Sequence, residues 1–250
     1  FPLVKTPANG IITVKCKGRY YSMISSIYKK SFSVLASKPL RLWGISLLSI
    51  FLSMAAYILF GVIPGAAIAI GLLLETSMTL IYLNGFLGQE VKTLQLFDCF
   101  RSWRTIGRVL GGMAWMLMWV LLWSLIPVVG IVFGVIKFYS YRLTPYILMK
   151  EPEVKATEAY KLSEQRTMGY KGKMFWADVL PVLAYIAAVL ILSAFSAIPY
   201  LGWLFALVLA VLVVAFAVFL PLFLGLVQSA FYVEIQKSLD PPAADMGWYE

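Results

Sequence analysis

The sequence predicts an all-α, polytopic membrane protein with six transmembrane helices, arranged as three helical hairpins with amphipathic helices at the inner face. Three observations predict this fold class. Apolar residues make up 61% of the 250 residues and charged residues only 13%, far from the usage of soluble domains. Several apolar stretches reach the roughly 20 residues that a helix needs to cross a hydrocarbon core. The segments between these stretches alternate between basic and uncharged.

The apolar stretches also define the domain organisation. The short alternating segments of an outer-membrane barrel do not occur, so each stretch is interpreted as a helix. The predicted spans are approximately residues 43–63, 65–87, 107–126, 128–149, 175–198 and 201–233. The domains are a basic, cytoplasmic N-terminal segment (1–22) with the strand-like "GIITVKCKG", a transmembrane domain (23–238) and a C-terminal tail (239–250).

Basic residues lie on one side of the predicted spans. They precede the first span without any acidic residue, and further groups lie between spans two and three and between spans four and five. The opposite turns, "GVIPGAA", "LIPVVGI" and "AIPYLGW", carry no charge. Because loops rich in Lys and Arg stay in the cytoplasm, we expect both termini inside and anionic lipids at the inner face. Orientation alone explains the net charge of +9, so we expect no nucleic-acid partner.

The three uncharged turns share an Ile-Pro step followed by glycine. They are Ile63-Pro64-Gly65, Ile126-Pro127 with Gly130, and Ile198-Pro199 with Gly202. Proline suits the first position of a helix, because an N–H there would have no helical partner. Each turn is therefore predicted to be the tip of a hairpin whose proline begins the returning helix.

Each hairpin is preceded on the inner side by a mixed polar and apolar stretch. The three are "SMISSIYKKSFSVLASKPL", "VKTLQLFDCFRSWRTIG" and "EVKATEAYKLSEQRTMG". In the third, Glu153 and Glu158 come early, Arg166 comes late, and Gly169 is placed to end a helix. We expect these stretches to form helices along the inner membrane face, and we interpret the chain as three repeats of such a helix plus a hairpin.

Two opposite charges lie at similar predicted depth. Counting along the helices from the outer turns places Lys137 roughly 10 to 14 Å deep and Glu75 roughly 15 Å deep. An unpaired charge at that depth is unfavourable, which predicts that Glu75 and Lys137 form an intramembrane charged pair. The pair has two interpretations, a salt bridge that locks two hairpins or a lining of a solute or proton path.

A second polar cluster is predicted from Arg142, Asp178 and Tyr141. Arg142 lies about 10 Å from the inner end of its segment, within reach of the headgroups or of Asp178. Tyr141 fits either core packing or an interfacial belt, and Thr144-Pro145 predicts a kink.

The sequence excludes several common arrangements of catalytic residues. It contains no histidine, which excludes the common zinc sites of metalloproteases and any Ser-His-Asp arrangement. "GYKGK" lacks the spacing of a phosphate-binding loop. Cys16 and Cys99 form no metal motif and are interpreted as incidental. We therefore expect no enzymatic activity, no cofactor and no metal.

The stretch from Gln95 to Trp176 resembles the bacterial integral-membrane family catalogued as domain of unknown function nine-seven-five. The most specific matches are Ile126-Pro127, Lys137, Tyr141, Thr144-Pro145-Tyr146, the stretch from Ala159 to Ser163, and Lys171. The resemblance implies a multi-pass protein of the bacterial plasma (inner) membrane. It implies no established activity and no site residues.

Two classes of function remain. One is a membrane subunit or scaffold of a larger assembly, with protein partners in that complex. The other is a small permease-like transporter of a solute or lipid that uses Glu75 and Lys137. Broken helices at mid-membrane favour transport, but the glycines and prolines cluster at the predicted hairpin tips. The sequence therefore favours the subunit.

Overall fold

The computed structural model describes residues 12–37, 39–127, 129–196, 198, 200 and 202–239. These residues form α-helices and one 3-10 helix, with no strand among them, so the all-helical prediction is confirmed. The elements are α1 (Ile12–Ser37), α2 (Pro39–Phe60), α3 (Pro64–Phe86), the 3-10 helix (Thr93–Phe100), α4 (Trp103–Ser124), α5 (Gly130–Ser140), α6 (Thr144–Lys150), α7 (Ala159–Arg166), α8 (Lys171–Ser196) and α9 (Gly202–Leu239).

Within the described residues, five helices are long and apolar enough to cross a membrane. The segments are Arg41–Phe60, Gly65–Phe86, Trp103–Ser124, Lys171–Ser196 and Gly202–Leu239. The remaining predicted span, 128–149, is not one helix, because α5 ends at Ser140 and α6 begins only at Thr144. Pro145 in the first turn of α6 has no N–H to continue the α5 ladder, so the predicted kink is a full break.

The helices pack around α3 and α9. α2 lies against α3, α4 against α5, and α8 against α9, while α3 and α9 also contact each other. Large side chains such as Leu42, Tyr146 and Phe223 are fully buried between them. The middle of α9 is different, since Val211 and Val214 are both exposed, as an apolar lipid environment favours.

The structure confirms one of two predicted helix starts and contradicts the other. Pro64 occupies the first turn of α3, as predicted. Pro127 does not begin α5, which starts three residues later at Gly130. The tight turn requires glycine there, because a Cβ on residue 130 would lie 2.4 Å from the Ser124 carbonyl oxygen. Pro199, the first 11 residues and the tail from residue 240 lie outside the described residues.

The structure agrees only in part with the helices predicted along the inner face. α1 begins at Ile12, so the strand-like stretch is helical from that residue on. In the third stretch only Ala159–Arg166 is α-helical, and Gly169 follows with a φ of 81°. α7 packs against α4, α5 and α6, and Ala159 and Ser163 are fully buried.

Candidate functional site

The break between α5 and α6 is stabilised by hydroxyl groups of α7. Ser163 Oγ donates to the Ser140 carbonyl oxygen at 2.9 Å and accepts the Leu143 N–H at 3.1 Å. Thr167 Oγ1 donates to the same Ser140 oxygen at 3.0 Å. Backbone groups freed in an apolar surrounding need such partners. The burial of Ser163 and Thr167 therefore explains how the chain tolerates a break here.

Arginines stabilise the other end of α6. Arg108 of α4 donates to the carbonyl oxygens of Leu148, Glu151 and Pro152 at 3.1, 2.6 and 2.9 Å. Arg166 at the end of α7 forms an ion pair with the Glu151 side chain. The last carbonyls of a helix lack helical donors, and these guanidinium groups supply them. α4 and α7 thus fix the short helix α6.

Arg142 lies in the break and connects two further helices. Its guanidinium forms an ion pair with Asp178 of α8, with side chains only 9% and 12% exposed. Tyr139 Oη also donates to Asp178, at 3.1 Å. Gln228 of α9 lies against the opposite side of the guanidinium, and its amide oxygen accepts from Arg142 once the amide is oriented to satisfy both groups. The predicted reach from Arg142 to Asp178 is therefore realised.

A cavity of about 550 Å³ lies beside Arg142, between α2, α3, α9 and the break. We call it the polar cavity. Its polar lining residues are Ser46, Ser49, Ser53, Tyr57, Glu75, Thr79, Tyr82, Arg142 and Gln228. Most of these residues belong to the apolar segments Arg41–Phe60, Gly65–Phe86 and Gly202–Leu239. The chain thus places a polar compartment among helices that could cross a membrane.

Tyr82 of α3 lines the polar cavity next to α2 and α9. Its hydroxyl lies 3.3 Å from Ser46 Oγ. Its ring lies so close to Gly225 of α9 that a Cβ on that residue would be 2.2 Å from a ring carbon. Glycine at position 225 is therefore needed for this contact between α3 and α9.

Glu75 is the carboxylate of the polar cavity. The residue is exposed, although it is in the middle of α3. Among the described residues its side chain has no hydrogen-bond or ion-pair partner, and only its backbone oxygen is used, by Thr79 at 3.0 Å. A carboxylate without a direct ion pair in a helix that could cross a membrane is a candidate functional group.

Lys137 lies elsewhere, and the structure does not pair it with Glu75. Its Nζ is 2.7 Å from Glu164 of α7, which also approaches Lys171 at 3.9 Å. The same Nζ lies 5.1 Å from the Trp123 ring centre. The predicted pairing did not allow for α7, which was expected along the membrane face but packs against α5 and brings Glu164 to Lys137.

Tyr141 does not belong to the cluster of Arg142 and Asp178. Its ring lies 5.6 Å from Lys137 Nζ and contacts Tyr160 edge-on, with centroids 5.2 Å apart. Tyr141 is almost fully buried, so of its two predicted environments the structure shows core packing. The residue that completes the cluster of Arg142 and Asp178 is Tyr139.

The serines of α2 were not among the predicted site residues. Ser46, Ser49 and Ser53 recur at helical spacing, which places them on one face of an otherwise apolar helix. That spacing was a readable signal for a polar cavity. Gln228 had no comparable signal, because it lies toward the C-terminal end of a long helix that also carries the polar residues Ser229, Glu234 and Gln236 there.

The fold and the site define a class, namely an all-helical protein with helices able to cross a membrane and a polar cavity among them. No family model, no curated protein and no solved structure matches the chain. In the part of the chain that the structure describes, no group of three acidic or thiol side chains could hold a metal ion.

Proposed function

We propose that this chain is a non-enzymatic, multi-pass membrane protein that takes a small polar solute into the polar cavity, as a permease does. One observation carries the proposal. The cavity contains an unpartnered carboxylate, Glu75, within helices that otherwise present apolar surface. A protein that only scaffolds others has no need of a cavity of this size and polarity.

The break in the helix supports the same function. Discontinuous helices with polar groups near mid-membrane are typical of the binding sites of transporters. Arg142 lies in such a break and lines the polar cavity. Glycine and proline cluster at the predicted hairpin tips, which disfavoured transport, but the division of α5 from α6 weakens that objection.

We also propose that α5 and α6 together form a sixth crossing, which completes three hairpins with cytoplasmic termini. Residues 130–150 are about long enough for one crossing. The resemblance to the bacterial family favours the plasma membrane, and the basic inner segments favour contact with anionic lipids.

Cysteine labelling from outside the cell tests this topology. Leu125 is exposed in a turn that we propose to lie outside, and Lys161 is exposed on α7. We expect a membrane-impermeant maleimide to label Leu125→Cys but not Lys161→Cys. The reverse pattern would refute the orientation, and labelling at both positions would refute the sixth crossing.

The alternative is a membrane subunit or scaffold with protein partners. The exposed apolar faces of α8 and α9 do not favour it, because contact with lipid alone explains them. A purified complex of fixed stoichiometry, combined with an inaccessible polar cavity, would support the subunit instead.

Water access to the polar cavity is the direct test of the proposed function. Ser53 lines the cavity, whereas its neighbour Met54 is 59% exposed on the outside of α2 at the same depth. In a background with Cys16→Ser and Cys99→Ala, we expect a small water-soluble thiol reagent to modify Ser53→Cys in lipid nanodiscs. Met54→Cys is the matched control and should react far more slowly. Equal rates at the two positions would refute a hydrated cavity.

A further inference from the structure

The charges that line the polar cavity do not balance. Arg142 is the cation among them, and its charge is engaged by Asp178, while Gln228 occupies its other side. Glu75 faces the same cavity within the electrostatic reach of Arg142, but its side chain forms no hydrogen bond or ion pair among the described residues. The formal charges of Glu75, Arg142 and Asp178 sum to minus one. A ligand in this cavity therefore meets an uncompensated negative charge.

An uncompensated carboxylate among apolar helices is unstable as it stands. Transfer of an ionised group away from water is costly unless the group is paired, so Glu75 needs either a proton or a cation. A cationic ligand would supply the missing charge. Arg142 cannot fully supply this positive charge, because turning its guanidinium toward Glu75 would leave Asp178 without its cation.

Hydroxyl groups beside Glu75 offer further acceptors. Ser49 and Ser53 line the same cavity, and neither side chain forms a hydrogen bond among the described residues. Other hydroxyls of the chain do bond to the preceding helical turn, for example Thr76 to Leu72 and Ser124 to Val120, both at 2.8 Å. A hydroxyl can accept as well as donate, so these serines and a carboxylate together match the three N–H donors of an ammonium group.

Size and aromatic lining favour an organic cation over a metal ion. A volume of about 550 Å³ is in the range of pockets for small organic ligands. Calcium and magnesium require several oxygen ligands, usually with more than one carboxylate. Tyr57 and Tyr82 add aromatic rings to the lining, and such rings attract organic ammonium groups.

We propose that the polar cavity binds a small organic cation with an ammonium group, and that the Glu75 carboxylate is its counter-ion. This inference rests on the proposed function, since it names the chemical class of the solute that the cavity takes.

Charge-selective labelling tests the inference without knowledge of the natural solute. Ser53→Cys, in the background without Cys16 and Cys99, is treated at pH 7 with aminoethyl or sulfonatoethyl methanethiosulfonate. Leu125→Cys in the outer turn gives the intrinsic ratio of the two rates. We expect the cationic reagent to be favoured at position 53 by at least about tenfold over that ratio, since a charged cleft concentrates counter-ions. Glu75→Gln should abolish the preference.

Competition then tests for a bound ammonium group. Ethanolammonium and ethylene glycol have similar size and share one hydroxyl, but only the first is charged. We expect ethanolammonium to slow the labelling of Ser53→Cys more than ethylene glycol does, and Glu75→Gln to remove this difference. Glu90→Gln, an exposed acidic residue outside the cavity, is the control and should leave it unchanged.

Each outcome is decisive. Equal labelling by both reagents, as a protonated Glu75 would give, overturns the proposal that the cavity binds a cation. The cavity would still be hydrated, so the proposed function would stand. Equal protection by the two competitors, including none by either, also overturns cation binding. If neither reagent reaches Ser53→Cys in the folded protein, although both react after denaturation, the proposed function fails as well.

Discussion

The Tyr28 hydroxyl of α1 donates to the Ala177 carbonyl oxygen of α8 at 2.5 Å. This carbonyl is four residues before Pro181, which lacks the N–H that would normally bond to it. Tyr28 therefore takes the place of the missing helical donor, and α1 is joined to α8 at its proline.

Tyr28→Phe should lower the free energy of unfolding by about 1–3 kcal/mol, because it leaves a buried carbonyl without a donor. Pro181→Ala restores the N–H, so the same tyrosine change should cost less in that background. Equilibrium unfolding in detergent of the four variants measures this difference. Tyr185→Phe is the control, since the Tyr185 hydroxyl has no hydrogen bond among the described residues and its ring only stacks on Phe216.

The same contact predicts a pH dependence. Burial, and secondarily the charge of Asp178, raise the pKa of Tyr28 from 10.0 to about 12. Since the folded state favours the protonated phenol, the stability that Tyr28 contributes is complete below pH 10 and is lost as the pH rises toward 12. The difference in stability between the wild type and Tyr28→Phe should shrink over that range. A difference that stays constant up to pH 12 would contradict the contact.

The hydroxyl of Ser163 should contribute more to the free energy of unfolding than an exposed serine hydroxyl does. Ser163→Ala removes two hydrogen bonds at the break and leaves the Leu143 N–H buried without a partner. We expect a loss of about 1–3 kcal/mol in the free energy of unfolding. Ser193→Ala on α8 removes only an exposed hydroxyl that bonds to Leu190, and should change stability by less than about 0.5 kcal/mol. Equal effects of the two changes would show that α7 does not stabilise the break.

Length and apolarity were sufficient to predict the five long apolar helices, and Thr144-Pro145 was sufficient to predict that the stretch 128–149 is interrupted. The contacts of Lys137 were not predictable in this way. Depth along a helix gives one coordinate, whereas the pairing with Glu164 depends on α7 packing against α5. The stretch from Val154 to Met168 carries both charges and apolar residues, so its sequence fits a helix on the membrane face as well as one inserted in the bundle.

Removing the charge of Arg142 should be more harmful than removing that of Asp178. Arg142→Met leaves both Asp178 and Glu75 without a cation. Asp178→Asn leaves Arg142 with Gln228 and free to turn toward Glu75. Breaking a buried pair costs about 3–5 kcal/mol, so we expect the arginine change to reach this range and the aspartate change to remain below it. Unfolding in detergent measures both.

Two further variants help to interpret the stability of Arg142→Met. Arg41→Met removes a cation from an exposed pair with Glu90 and should cost no more than about 1 kcal/mol. Adding Glu75→Gln to Arg142→Met should recover part of the stability, because one of the two unpaired carboxylates becomes neutral. If the order of the two single changes is reversed, the inference that Glu75 lies within the influence of Arg142 is wrong.

Lys137 should couple energetically to Glu164 and not to Glu75. The Nζ of Lys137 lies 2.7 Å from Glu164, and both side chains are largely enclosed, at 19% and 28% exposed. In a double-mutant cycle, Lys137→Met and Glu164→Gln together should cost less than the sum of the single changes, with a coupling of at least about 0.5 kcal/mol. Lys171 approaches Glu164 at 3.9 Å, so Lys137→Met leaves the carboxylate a weaker partner and keeps the coupling moderate. The cycle of Lys137→Met with Glu75→Gln should be additive, since Glu75 faces the polar cavity and Lys137 does not line it.

Coupling to Glu75 instead of Glu164 would mean that α7 does not bring its carboxylate to Lys137, and that α3 and α5 meet at mid-membrane.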